Sequence, residues 1–290
     1  MSGQTSSSNV PLHSADHSRA YEGFTYVYPV VSRRAGGVSI GVNLNTNNAC
    51  NWRCIYCQVP NLTRGAPLAV DLEKLESELR TMLRDVLKGN FMSRRVAEGA
   101  RQLHDIALSG NGEPTSAREF GGVIDMIGHV RRQESVPDAI KTVLITNGSL
   151  MHRPMVGRAV AALAKINGEV WFKIDRATDA AMRKVNNTRT GMSRVHSNLV
   201  ISANACPTWI QTCIFLLDGL GPDDTERMAY LEFLEKTLAE GVVLQGVMLY
   251  GLARPSHQPE APRLAHFPVA QMEEMARDIR KLGLKVIVTP

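Results

Sequence analysis

The 290-residue sequence has no apolar run long enough to cross a bilayer. Its longest stretches, such as Cys213-Ile-Phe-Leu-Leu217, fall far short of the roughly 20 residues that a spanning helix requires. The first twenty residues lack the apolar segment of a secretory signal, so a cytoplasmic location is expected and no membrane partner. They are also rich in Ser and poor in large apolar side chains, which predicts a floppy arm unable to offset its ordering entropy. There is no even set of cysteines for a secreted disulfide framework, because the chain has five. There is no long basic run either, although 33 Lys and Arg against 28 Asp and Glu leave a formal charge of +5. The basic pairs Arg33-Arg34, Arg94-Arg95, Arg131-Arg132 and Arg183-Lys184 read as solvated helix faces. Charge alone leaves a nucleic-acid partner open.

What is present is a core and a rhythm. With 44% hydrophobic residues the chain can bury a full core. Short apolar runs at residues 38–43, 105–109, 142–146, 170–174, 210–217, 242–250 and 285–288 read as strands. Between them, residues 71–88, 117–133, 154–166, 178–185, 225–240 and 269–282 read as helices. Leu72, Leu75, Leu79, Leu83 and Val86 show the helical spacing of apolar side chains. Asp71 and Thr225 stand at expected N-caps, and Gly241 and Gly283 at expected helix ends. Strands alternating with helices imply right-handed βαβ units and a parallel sheet. The expected fold is α/β: a partial (β/α)6-type barrel of parallel strands with outer helices. The expected division is an arm and lead-in segment over residues 1–31 and one core domain over 32–290.

Such a barrel collects functional residues at the C-terminal ends of its strands, where the polar and glycine-rich motifs of this sequence fall. The first strand is followed by Cys50, Cys54 and Cys57. After the second come Ser109, Gly110, Asn111, Gly112 and Glu113, and after the third Thr146 and Asn147. Lys173 and Asp175 end the fourth, sharing one face by strand alternation, where a structural ion pair competes with a role in binding. Arg254 follows the sixth and can clamp a carboxylate or phosphate. Cysteine spacings of three and two let one loop wrap several corners of an iron–sulfur cubane. Three thiolates leave one iron of a [4Fe–4S] cluster open, the arrangement of a catalytic metal site. A zinc site would want a fourth ligand, and no His or further Cys lies within about thirty residues of the triplet. Purely structural cysteines are the other competing reading. Cys206 and Cys213 are too few for a second cluster.

The C-x3-C-x2-C pattern, with Tyr56 before the third cysteine, resembles the signature of the radical S-adenosylmethionine (SAM) superfamily. The resemblance implies that a [4Fe–4S] cluster on Cys50, Cys54 and Cys57 chelates SAM and cleaves it to a 5′-deoxyadenosyl radical, which abstracts hydrogen from a substrate. It implies that Tyr56 meets the adenine and shields the cluster. Ser109 to Glu113 resembles the family's Gly-Gly-Glu motif for the methionine amino group, with Asn111 in place of the first glycine. Thr146 and Asn147 lie near the ribose in many relatives. Asp175 is expected on ribose hydroxyls, and Lys173 on the SAM carboxylate or the substrate. Arg254 is expected on the substrate.

Ser-Gly-Asn-Gly-Glu-Pro-Thr, Val-Trp-Phe-Lys-Ile-Asp and Gly-Leu-Ala-Arg-Pro, in that order, resemble a tRNA-modifying subgroup related to wyosine synthesis. The second-cluster cysteines of that subgroup, ahead of the triplet, are absent here. Beside a SAM enzyme acting on RNA or a small molecule stand two other readings. One is an activase of a glycyl-radical partner protein. The other is a non-enzymatic iron–sulfur protein. An enzyme of this kind implies an external one-electron reductant of flavodoxin or ferredoxin type.

Overall fold

A computed structural model describes residues 12, 21–32 and 36–290. The expected floppy arm and the Arg33-Arg34 pair lie almost wholly outside the described residues. One eight-stranded sheet organises the rest: β1 (Val27–Ser32), β2 (Gly37–Val42), β3 (Leu103–Leu108), β4 (Lys141–Thr146), β5 (Gly168–Lys173), β6 (Thr208–Cys213), β7 (Gly246–Tyr250) and β8 (Val286–Thr289). Their spatial order is their sequence order. Every neighbouring pair from β2 to β8 is parallel, and β1 runs antiparallel to β2. The sheet is a curled half-barrel, with β1 and β8 as its two edges.

Helices α1 (Leu72–Lys88), α2 (Phe91–Arg95), α3 (Phe120–Gln133), α4 (Pro154–Ala164), α5 (Asp179–Asn186), α6 (Met192–Ala205), α7 (Asp224–Ala239) and α8 (Val269–Lys281) complete the βα units. The side chain of Asp71 caps α1 by accepting from the Lys74 N–H, and Leu75, Leu79, Met82, Leu83 and Val86 form its buried stripe. Glu78 interrupts that stripe for a reason. Its buried carboxylate accepts the backbone N–H groups of Thr25, Tyr26 and Val27 at 2.8, 2.8 and 3.1 Å, hooking β1 onto the helix.

The sequence expectations need correction in several places. Strand β1, absent from the expected strands, runs across position 31/32. The run 210–217 is not one strand: β6 stops at Cys213, and Leu216–Leu217 pairs with Leu264–Ala265 instead. The cap of α7 is Asp223, whose side chain accepts from the Glu226 N–H, rather than Thr225. Gly241 and Gly283 do end helices, at φ of 80° and 85°. The basic pairs are not all solvated, because Arg95 and Arg131 are buried.

Strand alternation divides the side chains between two environments. Ile106, Leu108, Leu144, Val170, Phe172, Ile210, Val247 and Leu249 join the main core. The residues between them face the lumen. Ala107, Val143, Trp171, Trp209 and Met248 form a separate apolar cluster there. The same alternation brings Lys173, Gln211 and Tyr250 to the lumen's upper end.

Candidate active site

The upper lumen opens into a cavity of about 320 Å³. Cys50, Cys54 and Cys57 line it together with Ser109–Glu113, Thr146, Asn147, Lys173 and Arg254. Residues from strand ends spread over more than 200 positions thus converge on one space, as the barrel reading expects.

The cysteine loop is held from three sides. From α5, the carbonyls of Asn186 and Val185 accept the N–H groups of Arg53 and Ile55 at 3.3 and 2.9 Å. From the segment after β7, Ser256 Oγ donates to the Ile55 and Cys57 carbonyls, and His257 N–H donates to Cys57 O at 2.9 Å. Arg53 donates to both oxygens of Glu260 at 2.8 and 2.7 Å. From the loop after β4, Asn147 Nδ2 donates to Asn51 Oδ1, and Asn51 Nδ2 donates to Ser149 Oγ, both at 2.8 Å. Sequence reading missed Ser256, Glu260 and Asn186, since single polar residues in loops carry no local signal of a distant partner.

The glycine motif packs directly against this loop. A Cβ on Gly112 would stand 2.1 Å from the Ala49 carbonyl oxygen, so only glycine admits that approach. Asn111, where the resembled motif has glycine, fits through two contacts: its N–H donates to Asn43 Oδ1, and its Nδ2 donates to Asn48 Oδ1 at 2.6 Å. Glu113 is 2% exposed. Its Oε1 accepts from the Thr115 N–H, Thr115 Oγ1 and Thr146 Oγ1 at 3.1, 2.6 and 2.6 Å, and its Oε2 accepts from the Asn147 N–H at 2.7 Å. Burial raises its pKa above the ordinary carboxylate value, against the pull of these four donors.

Lys173 and Asp175 are joined through Tyr56. Lys173 Nζ donates to the hydroxyls of Tyr56 and Tyr250 at 2.8 and 2.9 Å. Tyr56 in turn donates to Asp175 Oδ2 at 2.5 Å, and Lys173 Nζ stands 3.9 Å from Asp175 Oδ1. Burial pulls the Lys173 pKa down, but the Asp175 carboxylate together with the neighbouring Tyr250, Cys54 and Cys213 outweighs it, so the pKa is raised and the ammonium is held. Asp175 also accepts from Asn186 Nδ2 and from the Cys213 N–H, at 2.6 and 2.9 Å. Its side chain therefore sits behind Tyr56 and braces the site from below. Arg254 Nη1 donates to Gln58 Oε1 at 3.1 Å at the cavity rim.

The three thiols line one cavity from a single loop, and among the described residues no three His, Cys, Asp or Glu side chains converge on one metal-ion position. Cys54 Sγ accepts from Asn186 Nδ2 at 3.2 Å, and Cys50 Sγ accepts from the Trp52 N–H at 3.5 Å. Hydrogen bonds of this kind tune cluster sulfurs. Burial pushes the Cys50 thiol up to about 11 and Cys54 to about 12, so metal binding must displace their protons. Cys206 is remote, buried against the Gly168 carbonyl at the opposite end of β5.

No family model matches the chain. A UPF0026 protein of Helicobacter pylori is 21% identical over 220 residues, which are 72% of this chain and 61% of that protein. The chain thus spans about three fifths of that relative's length. Among solved structures, TYW1 with a lysine–pyruvate adduct bound matches at a TM-score of 0.57 with 15% identity, over 86% of this chain and 74% of that one. A radical SAM methyltransferase from Sphaerobacter thermophilus matches at 0.56 with 15% identity, over 87% and 66%. A spore photoproduct lyase variant with bound AdoMet and dinucleoside spore photoproduct matches at 0.53 with 12% identity, over 86% and 75%. The chain shares its fold with these three structures.

Proposed function

We propose that this chain is a radical SAM enzyme that holds one [4Fe–4S] cluster on Cys50, Cys54 and Cys57. The observation that carries the reading is the convergence of these three thiols with Gly110, Gly112 and Lys173 on one cavity at the C-terminal ends of the sheet. Bound there, the cluster would supply the electron for reductive cleavage of SAM to methionine and a 5′-deoxyadenosyl radical. The chain's own residues do the rest. Asn186 and the Trp52 N–H supply donors to the sulfurs. Gly110 and Gly112 let the loop after β3 pack closely against Asn43 and the Ala49 carbonyl at the base of the cysteine loop. Glu113 fixes the loops after β3 and β4 against each other, so the groups around the methionine end of SAM are positioned before it binds.

We read Lys173 as a fixed cation. In TYW1 a lysine carries a pyruvate adduct, and Lys173 is the lysine of this cavity. Condensation with a carbonyl needs a neutral amine, however, and the Tyr56, Tyr250 and Asp175 network favours the ammonium. The geometry therefore supports Lys173 binding a carboxylate, of SAM or of the substrate.

The test is anaerobic reconstitution followed by SAM and dithionite, with 5′-deoxyadenosine read by mass spectrometry. Wild type is expected to bind about four iron atoms and to form 5′-deoxyadenosine, and Cys54→Ala to do neither. A correctly loaded wild type that leaves SAM intact, with and without candidate RNA or protein substrates, would refute the proposal.

A further inference from the structure

The cysteine loop has a second face. Outside it lies another concavity, of about 1010 Å³, bordered by Arg64, Arg183, Arg189 and Arg194, with His152 beside them. Among the described residues, no carboxylate lines it. Asp179, next to Gly191, is already engaged by the Met192 N–H at 2.6 Å. Arg64 is fixed by donating to the carbonyls of Asn51 and Asn187. Arg183, Arg189 and Arg194 are exposed, and their guanidinium groups have no ion-pair or hydrogen-bond partner among the described residues. Three unpaired guanidinium groups around one concavity are a standing attraction for anionic surface.

The position of this patch says what it serves. Trp52, 3% exposed, is the residue that lines both this concavity and the cavity of the three thiols. Asn51, also on the cysteine loop, forms part of the outer wall. A molecule seated outside is thus one side chain away from the cluster position. Trp52 divides it from Lys173 and the lumen, where a substrate would present its hydrogen. Substrate and SAM take the inner face, and the outer face is left for whatever must reach the cluster without blocking them.

We infer that the Arg183–Arg189–Arg194 concavity is the docking surface for an acidic one-electron carrier protein, which reduces the cluster through the outer face of the cysteine loop. The inference rests on the cluster reading above. The step is a single electron transfer: the carrier's flavin or iron–sulfur group is oxidised by one electron, the cluster is reduced by one, and no covalent bond forms or breaks. Charge complementarity selects the acidic partner, and steering by exposed charges acts on the association rate.

The test uses reconstituted holoenzyme with two probes, an acidic bacterial flavodoxin and total tRNA. Charge reversal at Arg183→Glu, Arg189→Glu and Arg194→Glu together is expected to slow cluster reduction by flavodoxin hydroquinone at least about tenfold at low salt. It should also abolish the salt-sensitive binding of oxidised flavodoxin measured by calorimetry. Reduction by dithionite, and 5′-deoxyadenosine formed with it, should match wild type, and replacing the same three residues by Lys should retain flavodoxin binding. Unchanged flavodoxin binding and reduction in the reversed variant would overturn the inference. So would loss of tRNA binding with flavodoxin untouched, which would assign the patch to a nucleic acid. Failure of the proposed function shows separately, as wild-type holoenzyme that does not cleave SAM even with dithionite.

Discussion

Glu113→Gln isolates the part of the site that can be measured without any cofactor. The carboxylate accepts four hydrogen bonds, two from backbone N–H groups and two from threonine hydroxyls. A glutamine keeps the shape but turns one oxygen into a donor. With its NH₂ in the Oε1 place, it can donate to the hydroxyls of Thr115 and Thr146, which rotate to accept, but the Thr115 N–H is orphaned. With its NH₂ in the Oε2 place, the Asn147 N–H is orphaned instead. Either way one buried backbone donor loses its partner, at a cost of about 1–3 kcal/mol. For a domain of this size that lowers the melting temperature by about 2–6 °C. Glu113→Ala orphans both backbone donors and should cost about twice as much.

The assay is calorimetry or urea unfolding of the metal-free chain in reducing buffer. The pH dependence adds a sign. Burial raises the Glu113 pKa, so its share of stability is full below the ordinary carboxylate value and is lost as pH rises through the folded value. Glutamine does not titrate, so the gap between wild type and variant is largest in acid and narrows upward. A Glu113→Gln melting temperature within about 1 °C of wild type, or a loss as large as that of alanine, would refute the hydrogen-bond reasoning.

Gly112→Ala would force its Cβ into the Ala49 carbonyl and the Asn45 amide. It should destabilise the chain by about 1–3 kcal/mol and lower iron bound per chain, as read by unfolding and metal analysis. Glu260→Gln breaks a partly exposed bidentate pair worth under about 1 kcal/mol, so global stability should hold while hydrogen exchange at residues 51–57 quickens. The Arg53 hydrogen bonds hold the Glu260 pKa below the ordinary carboxylate value. The wild-type clamp therefore persists at neutral pH and is lost as pH falls through the folded value, a step the variant lacks. Cys206→Ala should load as much iron as wild type.

The parallel strands were legible because burial on both faces makes them short continuous apolar runs. Where such a run continues past a strand, as at Ile214 and Phe215, periodicity cannot locate the end. Strand β1 escaped because Pro29 interrupts its pattern, and proline is tolerated there only because β1 is an edge. Helix α6 escaped because Ser, Asn and His interleave its apolar positions. At the site, the cysteines and glycines announced themselves by spacing, which is local. The pairing of Cys54 with Asn186 spans 132 positions and that of Arg53 with Glu260 spans 207. No window along the chain can register such partners, and the linkage of Lys173 to Asp175 through Tyr56 is invisible for the same reason.

The anchoring of the cysteine loop has a consequence for how the protein is made. The three cysteines leave the ribosome well before their anchors at Val185, Asn186, Ser256, His257 and Glu260. Until then the loop has no fixed shape and its thiols are open to oxidation. Site assembly is a long-range contact and so a late folding event. A nascent chain halted before Ser256 would carry all three cysteines and still lack the Ser256, His257 and Glu260 anchors of their loop. The frame of the cysteine loop thus closes only after the segment around Ser256–Glu260 has been made.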